Sequence, residues 1–138
     1  MINTDSFSKT CTPKIQSVLR MVTAYLFLLH GAAKLFHVPH VDMFDGLQLF
    51  SLLGVAGILE FFGGALLLIG LFTRPVAFIL SGQMAVAYFL AHAGPDNFWL
   101  PLINHGEPAV LYCFIFLFLS VAGGGCWSID SKMVKKTE

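Results

Sequence analysis

Four apolar stretches, at residues 15–36, 52–72, 75–93 and 108–127, constrain this chain more than any other feature. A bilayer core takes about 20 residues of helix at about 1.5 Å per residue, and each stretch is close to that length. Composition points to the same solvent. Of 138 residues, 57% are hydrophobic and 12% charged, with a mean hydropathy of +0.78. A soluble 15.1 kDa domain has too little interior to hide that much apolar surface. The expected fold is all-α: a four-transmembrane-helix bundle over residues 15–127, between an N-terminal tail (1–14) and a C-terminal tail (128–138), with the lipid bilayer as its main partner.

Eight Lys and Arg balance eight Asp and Glu, so the chain has no electrostatic footprint for a nucleic acid. Sorted by position, the balance becomes an orientation signal. Lys9, Lys14, Arg20, Arg74, Lys132, Lys135 and Lys136 fall on one side of the stretches and Lys34 on the other. Basic residues collect on the cytoplasmic side, so both termini are expected there, with the loops His37–Ser51 and Gly94–Glu107 facing outward. Arg20 lies inside the first stretch and is expected to snorkel to the cytoplasmic headgroups. Arg74, on an expected tight turn Thr73-Arg74-Pro75, is the second cytoplasmic anchor. The first stretch reads as a retained helix and not as a signal peptide, because His30 and Lys34 bracket its only small-residue run, Gly31-Ala32-Ala33.

Small residues suggest where helices meet. Gly57, Glu60 and Gly64 fall on one face of the second helix by three- and four-residue spacing, with Ala56 and Gly63 beside them, a pattern that lets backbones approach closely in lipid. Gly123-Gly124-Gly125 reads as the end of the fourth helix, since no strand precedes it and no Lys-Ser or Lys-Thr follows. Cys11, Cys113 and Cys126 form no C-x-x-C pair, and the histidines lack the spacing of a metal site, so neither a disulfide nor a metal is expected.

The polar residues inside the stretches carry the functional information. Glu60 sits about 12 Å below the outer end of the second helix, where an ionised carboxylate costs about 3 kcal/mol on insertion scales. It must therefore be protonated, paired or beside a wet cavity, and it serves either as interhelical glue or as a functional group. Lys34 is its candidate partner, with His30 one turn deeper on the same face; the equal alternative for Lys34 is to snorkel outward into the headgroups. Asn104 and Glu107 precede Pro108, which suits the first turn of a helix and leaves both free to face the bundle. His92 and Gln83, on the third helix, are placed to join them. All of these residues belong to the outward half, which suggests one polar pocket among the helices. Its chemistry suits hydrogen bonding to a polar head such as a quinone carbonyl. No resident cofactor is predicted, and a haem held by His30 and His92 is not expected.

The chain resembles the DoxX family of small four-helix bacterial inner-membrane proteins. The resemblance runs from Arg20 to Asp130 and rests mainly on Leu59-Glu60-Phe61-Phe62-Gly63-Gly64 followed by Gly70-Leu71-Phe72-Thr73-Arg74. Gly31 to Lys34, Asn104 to Glu107 and Ser128-Ile129-Asp130 support it. It implies a multi-pass inner-membrane location and Lys34, Glu60, Arg74 and Glu107 as the family-like polar positions; His30 has no counterpart. Some relatives are subunits of thiosulfate:quinone oxidoreductase, to which the DoxD subunit belongs. The function this implies is an accessory or anchoring subunit of a membrane redox complex, working with redox partner subunits or as a homo-oligomer. The chain carries no appended soluble redox domain, so independent enzymatic activity is not expected. A quinone- or sulfur-compound-linked oxidoreductase component and a small-solute permease are the alternatives.

Overall fold

The computed structural model describes residues 4–134, and these are helical with no strand among them. In order they form α1 (Thr4–Phe36), α2 (Leu52–Ile69), α3 (Thr73–Ala87), α4 (Glu107–Ala122) and α5 (Ile129–Val134). A single 3₁₀ turn, Asp42–Phe44, interrupts the α1–α2 loop, and a π-helical turn, Tyr88–His92, extends α3. Lys135 and Lys136, which contribute to the orientation signal, lie outside the described residues.

Three segments are long and apolar enough to cross a membrane: Phe7–Phe36, Leu52–Ile69 and Thr73–His92. The fourth expected stretch is shorter as a helix. α4 has 16 residues, about 24 Å at the helical rise, because Gly123 leaves helical geometry at φ 88°. At the other boundary, α1 continues back through residues expected to form a tail, passing Pro13.

The turn between α2 and α3 also falls earlier than expected. Gly70 caps α2 in the left-handed region (φ 71°), Phe72 follows at φ 51°, and Thr73-Arg74-Pro75 forms the first turn of α3. Proline fits there because the first turn needs no intrahelical N–H partner.

Close backbone approach fixes α1 against α2. A Cβ added to Gly31 would lie 2.7 Å from the Phe61 Cα, and one on Gly64 would lie 3.0 Å from the Leu28 backbone nitrogen. α3 leans on α2 where Leu80 fills the space beside Gly63, and Ser81 Oγ donates to the Cys113 carbonyl of α4 at 2.9 Å. The core between them is Ala24, Phe27, Leu67, Ala77, Leu80, Met84, Phe116 and Leu119. Phe27 meets Phe116 edge-on at 4.8 Å. Outside this thin core the helices expose large apolar side chains all round, Phe62, Phe78, Phe89, Leu111 and Phe114 among them, as lipid-facing surfaces do.

Candidate functional site

Gly57 makes the site possible. With no side chain there, the Lys34 stem lies across α2, its Cβ 3.0 Å from where a Gly57 Cβ would be, and its tip reaches the next turn. Lys34 Nζ donates to both carboxylate oxygens of Glu60, at 2.6 Å to Oε1 and 2.8 Å to Oε2. The pair is buried, with 10% of the Lys34 side chain and 3% of that of Glu60 exposed. From α3, Gln83 Nε2 donates to Glu60 Oε1 at 3.2 Å and to the Ala56 carbonyl at 3.4 Å. Phe44, on the 3₁₀ turn, lays its ring 5.6 Å from Lys34 Nζ. One carboxylate thus joins three helices, and its charge is matched one for one.

This centre closes one end of a groove of about 310 Å³ between α2 and α3. Its walls are apolar, from Leu52, Leu59, Ile79, Val86 and Leu90, and among the described residues lining it only Lys34 and Glu60 carry charge. A smaller apolar hollow of about 210 Å³ continues along the same seam past Leu59 and Ile79.

The remaining polar residues expected in one pocket are divided among separate places. His30 is exposed and engages the Leu26 carbonyl at 3.0 Å, with its ring 6.1 Å from that of Tyr112. Asn104 is buried, but as the knot of a loop: its Nδ2 donates to the Asn97 carbonyl (3.0 Å) and to Tyr88 Oη (3.3 Å), and its Oδ1 accepts from Gly106 N–H (2.8 Å). His92 meets the Asn104 carbonyl at 3.1 Å, on the π-helical turn. The side chain is drawn into the loop because Gly94–Gly106 has few ladder partners for its backbone groups. Glu107 opens α4 from an exposed position and lines a different hollow with Thr23, Leu26 and Tyr112. Of the expected set, the structure brings Lys34, Glu60 and Gln83 together around Gly57.

The DoxX family profile matches residues 15–93, more than half of the chain. An uncharacterized protein of Haemophilus influenzae is 45% identical over 127 residues, covering 90% of this chain and 94% of its own length. The chain belongs to the DoxX family. No solved structure matches it.

The DoxX match spans α1, α2 and α3, so it contains the whole Lys34–Glu60–Gln83 centre and stops before Asn104 and Glu107. It also contains both arginines expected at the headgroups, and Arg20 is not at the surface. Its side chain is fully buried. Arg20 Nε donates to the Gly124 carbonyl at 2.8 Å, Nη2 to Trp127 at 2.7 Å, and Nη1 to Leu68 at 2.6 Å and to Leu67. The guanidinium fork satisfies the carbonyls left over at the end of α2 and those of the glycine turn after α4, which gains more than solvation at the headgroups offers. Arg74 is exposed, and its Nη1 donates to the Val121 carbonyl near the end of α4.

Two contributors were not legible as site residues. Asp130 accepts the backbone N–H groups of Phe72 and Thr73, each at 2.8 Å, and so caps α3 from 57 residues away along the chain. No local spacing announces a cap supplied at that distance. Phe44 covers Lys34 from a loop whose only sequence signal was its position next to the helix end. In the same loop His40, Asp42 and Asp45 gather ligand-type atoms within 4.8 Å. All three are exposed, and the imidazole nitrogens already face the two carboxylates.

Proposed function

We propose that this DoxX protein crosses the bacterial inner membrane four times with both termini in the cytoplasm, and serves as a binding subunit of a membrane redox complex. The observation that carries the reading is the three-helix polar centre, Lys34–Glu60–Gln83, closing an apolar groove that opens between α2 and α3. A carboxylate held in lipid by a neutralising lysine is an expensive arrangement that scaffold packing does not require, since apolar side chains would hold the same helices. The groove has the anatomy of a small-molecule site, with apolar walls and convergent polar groups at one end. In this reading electrons come and go through partner subunits, and the groove is the binding element. The basic residues Lys9, Lys14, Arg74 and Lys132 support the orientation. α4 then completes its crossing with the turn residues at its ends.

The test is Glu60→Gln in the full chain, which keeps the size of the side chain but removes its charge and one of its two acceptors. The variant leaves the buried Lys34 without its counterion, so it is expected to insert with some loss of stability and yield, while co-purification of redox partners or their quinone-linked turnover, taken per folded protein, falls much further. Wild-type partner recovery and turnover, or equal loss of folded protein, would overturn the reading.

A further inference from the structure

We infer that the groove between α2 and α3 takes an uncharged, bilayer-dissolved molecule whose polar head is a hydroxyl, a hydrogen-bond donor, seated against Gln83 and Glu60. The inference rests on the groove being the working site proposed above, and it goes further by fixing the chemistry of the occupant.

The polarity of the head follows from which hydrogen-bonding groups are already used. A carboxylate only accepts, so the Gln83 nitrogen is the end that faces Glu60, and its two protons go to Glu60 Oε1 and the Ala56 carbonyl. Two protons of Lys34 go to Glu60, and the ammonium stands against the Phe44 ring. Both Gln83 protons and two of the three Lys34 protons are therefore spent. One Lys34 proton is left against two acceptor sites: Gln83 Oε1 is buried with no hydrogen-bond partner among the described residues, and Glu60 Oε2 accepts from Lys34 alone among the bonds described. A buried acceptor without a donor carries a desolvation penalty that a ligand hydroxyl removes, whereas a ligand carbonyl leaves Gln83 Oε1 unpaired even where it takes the remaining Lys34 proton. The terminal torsion of glutamine is soft, so a small turn of the carboxamide presents Oε1 at the groove floor.

Charge and access narrow the occupant further. Lys34 and Glu60 cancel, and no other lining residue is charged, so a charged head would be left unmatched. The lips of the groove, Leu52, Val55, Ile79, Val86 and Leu90, are exposed apolar side chains on membrane-spanning helices. Entry is lateral, from lipid. The hollow beyond Leu59 and Ile79 has room for an apolar tail. Two kinds of molecule share this chemistry, a hydroquinone with an alkyl tail and a long-chain aliphatic alcohol.

The experiment measures thermal unfolding of the full-length protein in detergent with decyl-hydroquinone, its dimethyl ether, decyl-benzoquinone and dodecanol. Decyl-hydroquinone is expected to stabilise the protein with an affinity about tenfold higher than its dimethyl ether or the benzoquinone, as one lost hydrogen bond to a buried acceptor predicts. Gln83→Leu is expected to erase that discrimination while the protein stays folded. Dodecanol binding as tightly as decyl-hydroquinone would support the site with an aliphatic occupant, and weak dodecanol binding would support an aromatic one. Equal affinity for hydroquinone and dimethyl ether, or discrimination that survives in Gln83→Leu, would overturn the inference. If this fails while Glu60→Gln still abolishes partner turnover, the occupant is wrong and the redox-subunit reading stands.

Discussion

Lys34 and Glu60 form a closed two-point contact, one ammonium donating to both oxygens of one carboxylate across the α1–α2 seam. Removing either partner leaves the other charged group buried without its counterion. Lys34→Met is expected to cost about 3–5 kcal/mol, and Lys34→Met with Glu60→Leu is expected to recover most of it, because an apolar pair fills the same space without desolvation. Unfolding midpoints of the purified single and double variants would check this. A double variant no more stable than Lys34→Met would show that the unpaired Glu60 charge is not what destabilises the single variant.

Arg20 is expected to be the least replaceable residue of the chain. Arg20→Met orphans the carbonyls of Leu68, Gly124 and Trp127, while Leu67 keeps the Gly70 N–H, and even two of them left unsatisfied cost about 2–6 kcal/mol together. Arg20→Lys restores the charge but lacks the fork, so it should rescue only partly. Yield and monodispersity in detergent separate the three forms, and full rescue by lysine would argue that charge alone matters.

Two glycine substitutions should behave oppositely. Gly31→Ala drives a methyl into the Phe61 backbone, which cannot give way as a flexible side chain can, so a loss of about 1–3 kcal/mol or more is expected. Gly82→Ala meets nothing within 4 Å and improves helix propensity, so it should be neutral or stabilising by up to about 1 kcal/mol. Thermal unfolding of both in parallel tests the α1–α2 seam.

Asp130→Ala removes the acceptor for Phe72 and Thr73 N–H. A loss of about 0.5–2 kcal/mol is expected, as for other helix caps. Hydrogen exchange should rise first at the start of α3; unchanged protection there would mean that water replaces the carboxylate.

Orientation has its own check. An impermeant maleimide added to intact spheroplasts should label an Asp96→Cys variant but leave the exposed Cys126 unlabelled until the membrane is opened. Labelling of Cys126 in intact spheroplasts would invert the assigned topology.

The helices and their apolar character are legible because hydropathy is a local property, and Lys34 is legible as a candidate partner of Glu60, since pairing is one of the three ways to relieve a carboxylate in lipid. The division of the polar residues among separate places is not. Depth along the helices puts Asn104, His92 and Glu107 at the level of Glu60, but depth says nothing about azimuth. Asn104 turns to its own loop, and Glu107 turns to the α1–α4 side. Arg20 escapes a sequence reading for a related reason. Snorkelling is the economical expectation for an arginine near a helix end, and the carbonyls that hold it come from residues 47 to 107 positions away.

Those separations bear on how the molecule is made. Gly124 and Trp127 follow Arg20 by 104 and 107 positions, so a chain emerging from its N-terminus must insert α1 with the guanidinium lacking all of its eventual acceptors, and α2 supplies only those of Leu67 and Leu68. The first membrane helix is completed by a turn that is made after α4. A chain cut short before Gly124 therefore keeps the Leu67 and Leu68 carbonyls for Arg20 and loses the other two, so the base of α1 depends on residues that lie beyond the fourth helix.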